Sequence, residues 1–242
     1  MSDRLIVTFA LACSTLACAS SGTRPHDMST TAHAAAAREE DDDAAQHESQ
    51  SHATAGGYSE CSSPDTGAPL AVACWTDGAD ASATHVASMQ EHRRLAAAHR
   101  AAAEALVQAE TRACVGLTED DRDVSPFEHR QDIANVTELT EEVHLGHQVS
   151  RHAVGATITF RAVRGLTQEW LQRLVDCHLA RNSALGHDVP EMADCPLVPR
   201  GVTAHVSPLD AGFAVEVRAD SDEGAAEVLR RAQSLVAPTT TP

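Results

Sequence analysis

Lysine is absent from this chain, and all 18 of its basic residues are arginine. Aromatic residues make up 3% of the sequence, and asparagine and isoleucine are also scarce while alanine abounds. The scarce residues share AT-rich codons. A GC-rich genome therefore accounts for the alanine excess, which by itself argues neither for a coiled coil nor for an all-helical fold. Against the 18 arginines stand 35 acidic side chains, for a formal charge of −17. Binding a nucleic-acid backbone requires a basic stripe. Arg93, Arg94 and Arg100, or Arg230 and Arg231, come nearest to one and read as solvated helix faces, so no nucleic-acid partner is expected. Catalytic signatures are missing too: there is no G-x-S-x-G elbow, no H-E-x-x-H, no C-x-x-C and no glycine-rich phosphate loop. The stretch Asp220 to Gly224 lacks the later ligands of a calcium loop and reads as a helix cap. These absences predict a protein that is not an enzyme and takes no cofactor.

What is present begins at the first residue. Arg4 is followed by an apolar run from Leu5 to Ala17, too short to cross a bilayer comfortably and built like a secretory signal. Ser14, Thr15, Leu16 and Ala17 then lead into Cys18. This segment resembles the export signals of bacterial lipoproteins, in which a small residue precedes the cysteine that receives the lipid. Thr15 departs from the usual Leu, and Leu11 and Ala12 precede Cys13 in much the same way, an alternative cleavage point that would leave a shorter apolar run. The resemblance implies lipidation of Cys18 and, with Ala19 following, delivery to the outer membrane facing the periplasm. Residues 1–17 are accordingly read as a signal peptide.

Residues 18–57 are Ser, Thr, Ala, His and acid, including the run Glu39 to Asp43, with almost no large apolar side chain. Such a segment buries too little to offset its ordering entropy and is expected to be a disordered tether. Residues 58–124 hold a loop bracketed by Cys61 and Cys74, then a long helix from Ser82 to Cys114. Val86, Met89, Leu95, Ala96, Leu106 and Val107 are its expected packing stripe. Residues 125–237 read as an α+β domain, and 238–242 as a disordered tail. The domain opens with a short helix capped at Ser125 and a strand near Ile133 to Leu139. Next come a strand through Ile158 and Phe160, a helix capped by Thr167 and ended at Gly186, a hairpin of Val202 to Val206 with Phe213 to Val217, and a helix capped by Ser221. The order predicts a two-layer sandwich, ferredoxin-like in arrangement, with both helices on one sheet face. Thr157, Thr159, Arg161, His205, Glu216 and Arg218 would line the other, polar face.

Seven cysteines in an exported chain read first as disulfides. Cys177 with Cys195 is the favoured pair, Cys61 with Cys74 comes next, and Cys114 is left over, although other pairings stay open. The 14 histidines raise the question of metal. His85, His92 and His99 recur every seven residues, so neighbours on a helix stand roughly 10 Å apart and cannot share one ion. His144, His147 and His152, with Glu141 and Glu142 nearby, are better placed metal candidates, against a solvated-loop reading. His178 falls on an apolar helical stripe, where a hydrogen-bonded core histidine is the ordinary outcome. The leading expectation is a non-enzymatic, lipid-anchored envelope protein that binds another envelope protein through its polar sheet face or long helix. The alternative is a periplasmic metal-binding or metal-buffering protein that uses its histidines. The sequence sets no oligomeric state.

Overall fold

Alternation of apolar and polar side chains is the first organiser of the fold. In the computed structural model, which describes residues 29–55, 78–189 and 192–236, Ile158 and Phe160 point inward from one strand and Val215 and Val217 from its neighbour. The leader with Cys13 and Cys18, the Cys61 to Cys74 loop and the tail lie outside those residues. Strand β1 (Ile133–Leu145) pairs with β2 (Gln148–Arg161), β2 with β4 (Gly212–Ala219), and β4 with β3 (Val202–Leu209), all antiparallel, in the order β1-β2-β4-β3. Helix α4 (Gln168–Ala184) joins β2 to β3, and α5 (Asp222–Ser234) follows β4. The run β2-α4-β3-β4-α5 lacks the last strand of a ferredoxin-like β-α-β-β-α-β unit. Strand β1 fills that place from the N-terminal side.

Local chemistry sets the helix starts. Thr167 Oγ1 accepts from the Trp170 backbone N–H and Ser221 Oγ from that of Gly224, each satisfying a donor that the helix leaves open. Both helices lie on one face, where Leu171, Val175, Val228, Ala232 and Leu235 close over Ile158, Phe160, Val206, Val215 and Val217. Gln172 of α4 also accepts from the Val206 N–H and donates to the Ala204 carbonyl, occupying backbone groups of edge strand β3. Among the described residues no helix covers the opposite face, where Thr157, Glu216 and His205 stand in register. Gly155 sits beside a shift in the β1–β2 register with φ 151°, and a Cβ there would come within 1.9 Å of the Val217 carbonyl oxygen. Only glycine fits that approach.

Three differences from the sequence reading matter. Thr30–Ala55, within the predicted tether, forms a 26-residue helix, α1, lying along the 36-residue helix α2 (Gly78–Ala113). Its nine alanines favour helix, and its polar stripe meets a polar stripe on α2 rather than water. The short helix falls earlier than Ser125: α3 (Glu119–Asp123) is opened by a capping box of Thr118 and Asp121. Ser125 instead makes a turn, its Oγ accepting from Phe127 N–H, before a 3₁₀ turn at Arg130–Asp132. Finally, Cys177 is joined to Cys114, not to Cys195.

Helical geometry explains that pairing. Cys177 lies two residues, about 200° of turn, from Val175, which faces the sheet. It therefore shares the α2-facing stripe with Trp170, Leu174 and Arg181, whereas Cys195 is buried in the sheet-side core with Met192 and Leu197. The Cα atoms of Cys114 and Cys177 are 4.7 Å apart, and Leu117 and Leu174 seal the bond from water. Beside it the buried Arg181 guanidinium meets Asp123 at 2.9 Å and Glu110 at 3.4 Å and donates to the Arg122 carbonyl. The loop closed by the disulfide spans 63 residues. In the chain-entropy model such closure contributes about 4 kcal/mol. The Cys114→Ala, Cys177→Ala double variant is expected to lose stability of that order in urea unfolding. A loss below about 1 kcal/mol, or a Cys177 to Cys195 bond in non-reduced peptide maps, would contradict the pairing.

Candidate metal centre in a polar helix seam

Helix α1 contains no Leu, Ile, Val, Met or aromatic residue, so its contact with α2 cannot be an ordinary apolar seam. Its buried side chains are His33, Ala37, Ala44 and Ser51, opposite Ala96 on α2. Each alanine methyl contributes about 0.8 kcal/mol on burial, little against the cost of ordering so many residues. Polar pairs occupy the positions between the alanines. His33 lies on His99, Glu40 on His92 and His47 on His85, three layers seven residues apart that run in opposite directions on the two helices. Exposed ion pairs flank them, Arg93 with Glu48 at 3.0 Å and Arg100 with Asp41.

The layers differ in chemistry. His33 and His99 approach Nδ1 to Nδ1 at 3.0 Å, and His47 and His85 at 3.1 Å. Two nitrogen ligands on a tetrahedral ion with bonds of about 2.0–2.1 Å stand about 3.3 Å apart, so each pair is spaced close to that of a chelating pair. It equally suits a hydrogen bond between neutral rings, one donating and one accepting. In the middle layer His92 Nδ1 stands 2.7 Å from a Glu40 oxygen. Asp43, one turn beyond Glu40 on the same face of α1, completes a group in which one ligand atom from each of Glu40, Asp43 and His92 lies within 4.8 Å of the others. The His47 ring stacks on that of His92 with centroids 5.3 Å apart, linking the middle layer to His85. Two carboxylates and an imidazole suit a divalent ion of the zinc class and balance its charge.

The long-helix histidines thus behave as their spacing requires, since no two of them share a site. What spacing within one helix misses is the second helix. His33, Glu40 and His47 also recur every seven residues, a signal present in the sequence but hidden in a segment read as tether. Val86 and Val107, expected to pack, are 37% and 49% exposed, and the histidine row takes their place in the seam. The other metal candidates do not converge. His144 pairs across the hairpin with Val149 and His152 with Glu141, which puts them on opposite faces of the β1–β2 ribbon, and His147 is exposed in its turn. Compared with known proteins, the chain matches no family model, no curated protein and no solved structure.

Electrostatics ties the end of the seam to the sandwich. The pKa of His33 lies below its ordinary value, chiefly through burial, then through His99 and the positive charge of Arg181. His178, on the neighbouring face of α4, donates through Nε2 to the Val124 carbonyl at 2.8 Å, and its Nδ1 is buried without a hydrogen-bond partner. Burial first, and then the Arg181 guanidinium, push its pKa down to about 3, against the opposing hydrogen bond to Val124. The folded state therefore keeps His178 neutral where the unfolded chain takes up a proton. Stability is unaffected by this group above pH 6.5, the ordinary histidine value, and falls as the pH drops from there towards 3. The loss should reach several kcal/mol, since every tenfold difference in proton affinity between the folded and unfolded chain is worth about 1.4 kcal/mol. Urea midpoints measured from pH 7.5 to pH 4 should fall steeply for the wild type and clearly less for His178→Gln. Parallel curves would remove His178 from the acid response.

Proposed function

We propose that this chain is a non-enzymatic metal-binding protein of the cell envelope, held at the membrane by a lipid on Cys18. The ion, of the zinc class, is bound between α1 and α2 by Glu40, Asp43 and His92. The observation that carries the reading is the approach of these three side chains, from two helices, with one ligand atom of each within 4.8 Å of the others. The compartment follows from the resemblance of the leader to lipoprotein export signals. An oxidising envelope also gives thiols little part in metal binding, which leaves imidazole and carboxylate as the available ligands. His47, stacked on His92 and paired with His85, continues the row of nitrogen donors into the next layer of the seam. A site with oxygen and nitrogen donors at the edge of a helix pair suits holding or buffering an ion rather than turning over a substrate.

A second reading, docking of another envelope protein, draws on the uncovered polar sheet face of Thr157, Glu216 and His205. The two readings use different surfaces and are compatible.

The test is a zinc titration by calorimetry on protein taken up in the detergent phase, a phase from which Cys18→Ser should be excluded. Wild-type protein is expected to bind zinc, and His92→Ala or Asp43→Asn to weaken it about tenfold or more. His144→Ala with His152→Ala should leave binding unchanged. Loss of binding in that double variant with retention in His92→Ala would move the site to the hairpin.

A further inference from the structure

We propose that the ion governs the docking of the helix that carries its ligands: metal binding holds α1 against α2, and loss of the ion releases α1 while the sandwich stays folded. The inference rests on the reading of the seam as a metal centre and adds how that centre is regulated.

Four observations lead to it. The site is divided, with Glu40 and Asp43 on α1 and His92 on α2, so an ion bound by all three stabilises only the docked arrangement. Any ligand that favours one arrangement shifts the equilibrium toward it. Next, α1 has little else to hold it, because its buried positions are alanine, serine and histidine. A helix that is polar all round is stable only with specific partners. Third, the acidic run Glu39 to Asp43 concentrates like charge at the middle of α1. Arg100 answers Asp41 and the His92 ring lies 2.7 Å from Glu40, but Asp43 makes no ion pair among the described residues. A divalent cation at this point relieves the repulsion of Glu40 and Asp43 together. Fourth, α2 is fixed to the sandwich without help from α1, by Cys114 to Cys177 and by Arg181 with Glu110. Release of α1 therefore leaves that joint intact.

The consequence is one of reach. The 26 residues of α1 measure about 40 Å as a helix and about 85 Å extended. An ion that switches α1 between docked and released states changes how far the sandwich can stand from whatever holds the N-terminal end.

Hydrogen exchange with mass spectrometry on the full chain tests this, in EDTA, in zinc and in magnesium, with calorimetry on the same samples. Zinc, but not magnesium, is expected to slow exchange of the Thr30–Ala55 amides about tenfold or more, with β2 and β4 unchanged. Asp43→Asn should abolish the zinc effect on α1 while β2 and β4 keep their protection, which shows that the variant is folded. Zinc uptake with equal protection of α1 in EDTA would overturn the inference and leave the metal centre standing. Absence of zinc uptake would overturn both. Full zinc protection of α1 in Asp43→Asn would also overturn it, since docking would then not depend on the divided site.

Discussion

The placement of α2 and α3 on the sandwich depends on one buried cation. Arg181 is fully enclosed, and an enclosed guanidinium costs several kcal/mol unless its N–H groups are answered and its charge balanced. Glu110 of α2, Asp123 of α3 and the Arg122 carbonyl answer it from two directions, which fixes both helices relative to α4. The disulfide beside it makes the same connection covalent. Because α2 is gripped near its C-terminal end, the rest of its length projects as a rod, and its histidine row is available to α1. Replacing Glu110 or Asp123 would leave the enclosed Arg181 short of countercharge, so the joint is sensitive to either carboxylate.

Inside the sandwich, most of the architecture is written in residues that act locally. Ile158, Phe160, Val215 and Val217 alternate because their strands have one buried face, and no distant contact is needed to read that. Thr167 and Ser221 are short polar caps ahead of amphipathic helices, and both begin helices. Gly186, with φ 72°, follows the last turn of α4 as expected. Ser125 resembles a cap equally well. It fails because Thr118 with Asp121 starts a helix seven residues earlier, and the chain must then turn to bring Phe127 onto Phe160.

The candidate site was much less legible, and the reason is physical. Apolar periodicity announces a core, but α1 and α2 meet through alanine, histidine and acid, residues that composition alone assigns to solvent. A sevenfold repeat of His33, Glu40 and His47 against one of His85, His92 and His99 acquires meaning only when the two are superposed in opposite directions. The disulfide was hidden for a related reason. Nearness in sequence favoured Cys195, while the face of α4 on which Cys177 lies decides for Cys114.

On the proposed reading one set of side chains in the seam is both packing surface and ligand set, with nitrogen and oxygen donors, and the cysteines among the described residues lie in the disulfide and the sheet-side core. The most direct measurement of that account is X-ray absorption at the zinc edge on the metal-loaded chain. Nitrogen and oxygen scatterers at about 2.0–2.2 Å, with the outer-shell signature of imidazole, are the predicted result. A sulfur shell at about 2.3 Å would contradict it, because the ion would then be held by cysteine and not by Glu40, Asp43 and His92.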